Sequence, residues 1–171
     1  MRCAAGLGAG LLLLAATGCA PSAADPNRIE NAPLEKNIIK IVPMYGMNPF
    51  GTVGGGSKIN GFVIGALYLM GPDGKGVFGD GTIHVFLYEV DRTRGKKVSE
   101  RRLVREWLFD TEKAKPYRSR KRYLGGYGYQ LHCAWGDIDL GGKDVEIEVH
   151  FERTDGRVIT SLPKAYTVPP S

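Results

Sequence analysis

Val145, Ile147, Val149 and Phe151 alternate with Glu146, Glu148, His150 and Glu152. That two-residue period belongs to a strand with one buried face and one wet face. Asp155-Gly156 follows as tight-turn chemistry, and the apolar stretch Val158 to Leu162 then predicts the second arm of a hairpin. Gly61 to Met70 is apolar without alternation, which suits a strand covered on both faces, and Gly65 inside it marks a bulge. Ile38 to Met44 and Thr82 to Val90 predict further strands, with Gly71-Pro72-Asp73-Gly74 as turn chemistry before the second. Tyr129, Leu131, Cys133 and Trp135 share one face of another strand and leave His132 on the opposite face. Tyr166 to Val168 closes the sheet ahead of Pro169-Pro170.

Ser99 to Tyr117 is ambiguous by composition. Leu103 to Phe109 reads as a strand, and Asp110 then caps a short helix over about Thr111 to Lys115. The elements predict an all-β fold, a seven-strand antiparallel Ig-like or transthyretin-like sandwich with one short helix.

The N-terminus follows a different pattern. Met1-Arg2 is positively charged, and Ala4 to Thr17 carry no charge. That stretch is shorter than the ~20 residues of a membrane span and suits a secretory signal. Ala15-Ala16-Thr17-Gly18-Cys19 ends it and resembles the lipobox of bacterial lipoproteins, with Ala16 where leucine is commonest. The resemblance implies cleavage before Cys19 and lipid on that residue, several acyl chains making a stable anchor. Ala20 in place of Asp implies the outer membrane rather than inner-membrane retention. The organisation expected is a signal peptide over 1–18, a lipidated tether over 19–36 and a β-sandwich over 37–171. In strand spacing the sandwich resembles Ig-like domains of secreted bacterial lipoproteins, without the Cys…Trp…Cys signature of true Ig domains.

Composition sharpens this picture in two places. The chain has 171 residues, enough for about one domain. Of its three cysteines, Cys3 leaves with the signal and Cys19 is alkylated, so Cys133 stands alone as a small buried hydrophobe. The formal charge of +5 is unevenly placed. Between Arg92 and Arg122 thirteen basic residues meet four acids, a local +9, and the rest of the processed chain is acidic. Arg118, Arg120, Lys121 and Arg122 are the densest part and the candidate anion-binding residues.

Other motifs fall short of known chemistry. Gly51 to Lys58 has a glycine-rich loop, but Ser57-Lys58 reverses the order a phosphate-binding loop requires. Asp137, Asp139 and Glu148 partly match a calcium loop, with Gly141 where an oxygen ligand belongs. His84, His132 and His150 lack metal-ligand spacing, and no nucleophile elbow occurs. Tyr117, Tyr123, Tyr127, Tyr129 and Trp135 could stack on sugar rings, although core packing explains them as well. No cofactor, metal, catalytic residue or nucleic-acid partner is expected. The function expected is a non-enzymatic binding or scaffolding module, held at the cell envelope by lipid on Cys19. Alternatives are a binder of anionic glycan, lipid or acidic protein through the 92–122 segment, and an envelope hydrolase with unidentified carboxylates.

Overall fold

The alternating and apolar runs become the long strands of two facing sheets. The computed structural model describes residues 29, 32–55, 57–91, 100–121 and 126–170. In chain order the elements are β1 (Leu34–Glu35), β2 (Lys40–Gly51), β3 (Gly61–Met70), β4 (Gly76–Gly79), β5 (Gly81–Asp91) and β6 (Glu100–Phe109). Then come α1 (Thr111–Ala114), a 3₁₀ turn over Lys115–Tyr117, β7 (Arg118–Lys121), β8 (Gly126–Ala134), β9 (Asp144–Arg153), β10 (Val158–Thr160) and β11 (Lys164–Thr167). The first sheet runs β1-β4-β3-β8-β7, with β2 on the other flank of β3. The second runs β6-β5-β9, and β10 and β11 share the far flank of β9.

The fold is all-β with one short helix, as expected, but it has eleven strands among the described residues and not seven. Among the strands the pattern did not reveal, β1, β4 and β7 span two to four residues, too short for a period to show. The first sheet is also mixed, because β1 pairs with β4 in parallel. Leu34–Glu35, within the stretch read as tether, forms that strand.

Local features follow the chemistry of the sequence. Asp110 accepts hydrogen bonds from the backbone N–H groups of Glu112 and Lys113, capping α1. Gly65 lies in a bulge, since Met44 pairs with Ala66 while Tyr45 pairs with Ile64. A side chain on Gly126 would strike the Gly76 backbone, so this glycine pair lets β4 and β8 meet.

The inward faces of both sheets form one core around Phe62, Tyr129, Trp135, Val149 and Phe151. On one side of the sandwich Trp107 of β6 packs edge-on against Phe62, centroids 5.4 Å apart, and donates Nε1–H to the Ala134 carbonyl at 3.1 Å. The other side is bordered by β2 and the β10–β11 flank, and there the sheets leave a groove.

Candidate functional site

Of the four basic residues proposed for anion binding, Arg118 is buried and Arg120 is exposed. β7 is an edge strand of the first sheet, and its first residue turns inward. Arg118 is only 3% exposed, with its guanidinium 4.8 Å from the centre of the Phe78 ring. It also hydrogen-bonds the Tyr129 hydroxyl, which accepts the Gly79 N–H at 3.2 Å. Burial pushes the Tyr129 hydroxyl up to about 12 against the opposing pull of Arg118. Arg120 is exposed, Lys121 pairs through its backbone with Gly126, and Arg122 lies outside the described residues. Cys19 and residues 92–99 lie outside them too.

Much of the remaining basic charge on β6 is met by acids from other strands. Arg101 lies 3.2 Å from Glu146 and 2.8 Å from Glu148, and its guanidinium covers Tyr88 at 4.1 Å. Arg102 pairs with Glu89, which also lies 3.6 Å from Lys143.

These pairs belong to an ordered outer face on the second sheet. Antiparallel register sets His84 opposite His150, Phe86 opposite Glu148 and Tyr88 opposite Glu146. His84 Nδ1 is 2.9 Å from Glu106, and its Nε2 is 3.3 Å from Glu152. His150 Nε2 is 3.0 Å from Glu148, and its ring lies 4.8 Å from Phe86. Burial works against the Glu148 carboxylate, but hydrogen bonds from His150 and Arg101 prevail and hold it below its ordinary range. On this face Arg101 covers the Tyr88 ring and His150 lies against Phe86. Among the described residues no three His, Cys, Asp or Glu side chains converge to hold a metal ion.

The partial calcium motif is taken apart by the same face. Glu148 is engaged there, while Asp139 accepts the Gly141 N–H at 3.1 Å in its own turn. Asp137 and Asp139 instead border a recess of about 450 Å³ with Gly55, Lys58 and Asn60. Asn60 shapes the glycine loop by accepting the Val53 N–H at 2.6 Å and donating to the Val53 carbonyl at 3.1 Å.

Cys133 is fully buried, and partial burial lowers the His132 pKa on the opposite face. The aromatic cluster is packing: Tyr129 and Trp135 are buried, Tyr117 sits on Phe109 and Tyr127 on Phe78. Tyr123 lies outside the described residues.

A groove of about 870 Å³ lies between the sheet edges. One wall is β2 from Lys40 to Met47, and the other is Thr160 to Lys164 with Tyr166. Tyr45 and Tyr166 meet edge-on at 5.7 Å. Burial raises the Tyr45 hydroxyl well above the usual tyrosine range, with Tyr166 and Cys133 adding to the rise. The second wall departs from regular pairing. Thr160 pairs with His150 and Lys164 with Ile147, so one extra residue is looped out between them. Leu162 sits in that bulge, 88% exposed, and Met47 is fully exposed on the facing wall.

Sequence reasoning missed this groove because its two walls are more than a hundred residues apart. The available signal was Pro43 and Pro163, since proline within an apolar run marks an edge strand or a bulge. Comparison with known proteins finds no matching family, no matching curated protein and no matching solved structure.

Proposed function

We propose that the protein is an exported lipoprotein that acts as a non-enzymatic binding or scaffolding module at the cell envelope. In this reading the membrane partner is reached through lipid on Cys19, and Ala20 directs sorting to the outer membrane. The domain is then an Ig-like or transthyretin-like sandwich, carried at the end of a short Pro-containing stretch. The observation that carries the binding role is the groove of about 870 Å³, with exposed Met47 and Leu162 on its two walls. Apolar side chains gathered on facing walls of a concavity favour contact with another molecule.

The anchor is tested by comparing wild type with Cys19→Ala in the bacterial membrane fraction, together with incorporation of labelled palmitate. Wild type should take up label and sediment with membranes. Cys19→Ala should do neither. Equal membrane retention of the variant without label would end the lipoprotein reading.

A further inference from the structure

We propose that the groove receives an extended, acidic segment of a partner protein, which adds as a β-strand along β2. The proposal deepens the binding-module reading and rests on it, but it does not depend on the lipid anchor.

Both walls are strand edges. Among the described residues β2 pairs only with β3, and β10 and β11 only with β9. Each wall therefore leaves backbone donors and acceptors on the groove side, except at Pro43 and Pro163, which have no N–H. A hydrocarbon chain lying there would remove those groups from water without replacing their hydrogen bonds, leaving each one unsatisfied. An extended peptide removes the same water and restores the bonds. The eight residues from Lys40 to Met47 span about 25 Å at strand rise, the length of a short peptide strand. Because strand side chains alternate, such a peptide directs every second residue toward the apolar lining of Ile41, Tyr45, Leu162 and Tyr166.

The charge of the groove selects the other residues. Lys40 and Lys164 line it, both are exposed, and neither forms an ion pair among the described residues. Among the described residues no carboxylate lines the groove. Acidic residues on the incoming strand complement this. A second copy of β2 would bring its own Lys40 against these lysines, so charge disfavours self-pairing. Pro43 and Pro163 interrupt the two walls and further restrain indiscriminate edge-to-edge association.

The test uses the full chain and a fluorescent ten-residue peptide alternating valine with glutamate, followed by anisotropy. A valine–lysine peptide of equal length is the charge control, and oleate is the hydrocarbon probe. The valine–glutamate peptide should bind at least ~10-fold more tightly than its lysine counterpart. Lys40→Glu/Lys164→Glu should reverse that preference, and Leu162→Asp should weaken binding about 5-fold or more. Both variants change exposed side chains, and unchanged thermal unfolding confirms their folding. Hydrogen exchange should slow within residues 40–47 when the peptide is bound. Equal binding of the two peptides, indifference to both variants, or displacement of the peptide by oleate at comparable affinity would overturn the proposal. Peptide protection confined to the region of Arg120 would remove the groove as the site while leaving a binding module. Membrane retention without Cys19 would remove the anchor while leaving the groove.

Discussion

Ser161 and Val149 are joined twice. The Ser161 backbone N–H donates to the Val149 carbonyl at 2.8 Å, and the Ser161 hydroxyl oxygen accepts the Val149 N–H at 3.0 Å. A side chain thus takes the place of a backbone carbonyl in the ladder. β9 keeps its bond where the neighbouring strand departs, and Leu162 and Pro163 are free to form the groove wall. Ser161→Ala leaves the Val149 N–H without that acceptor in a buried position, so stability should fall by ~1–3 kcal/mol in urea unfolding. Leu162→Asp, one residue along and exposed, should stay within ~0.5 kcal/mol of wild type.

The close approach of β4 and β8 is a second sensitive point. Gly126→Ala forces a methyl group into the Gly76 backbone and should lower stability by ~1–3 kcal/mol or more, read from the urea midpoint. Gly51 is in the same sheet but has no atom within 4 Å of where its Cβ would stand. Gly51→Ala should be neutral or slightly stabilising. Equal loss in both variants would show that crowding is not the cause.

Arg118 is set in the interior by the Phe78 face and the Tyr129 hydroxyl. Arg118→Ala should cost about 3 kcal/mol, through lost packing and a broken buried polar contact. Lysine should not restore it, because its compact ammonium lacks the planar fork and face of guanidinium. Guanidinium unfolding of the three proteins distinguishes this interior role from a surface anion site, whose loss would leave stability unchanged.

Tyr129 gives a pH dependence of definite sign. Burial raises its pKa from 10.0 to about 12 in the folded chain, while the unfolded chain titrates at the ordinary value. The stabilisation is complete below pH 10 and is lost as pH climbs toward 12, at up to ~1.4 kcal/mol per pH unit. Tyr129→Phe should flatten that alkaline decline by about one proton's slope, measured as unfolding free energy against pH.

Glu148 acts in the acid range. Its carboxylate is held low by His150 and Arg101 despite opposing burial. The resulting stabilisation is present above the unfolded value near 4.5 and is lost as pH falls through the lower folded value. Arg101→Ala removes one of the two supports, so its deficit should be near 1 kcal/mol at neutral pH and shrink below pH 4. A deficit independent of pH would assign the effect of Arg101 to its packing on Tyr88.

Local chemistry was enough to determine several elements from the sequence. The alternation of Val145 to Phe151 gives the two faces of β9, the apolar run of Gly61 to Met70 gives β3, and Asp110 caps α1. The buried position of Cys133 follows from the same period. These properties depend on residues a few positions apart, where pleat geometry and capping act directly. Only the tertiary structure decided which strands became neighbours. It brought Glu146 and Glu148 to Arg101, so part of the basic segment's charge is met by acids from a distant strand. It turned Arg118 inward, a choice that Phe78 and Tyr129 make from other strands. It also set Lys40 to Met47 across from Thr160 to Lys164, creating a groove that neither segment encodes alone. The physical reason is that register and sheet edges are settled by burial summed over distant segments, whereas a strand's period is written into each segment by itself.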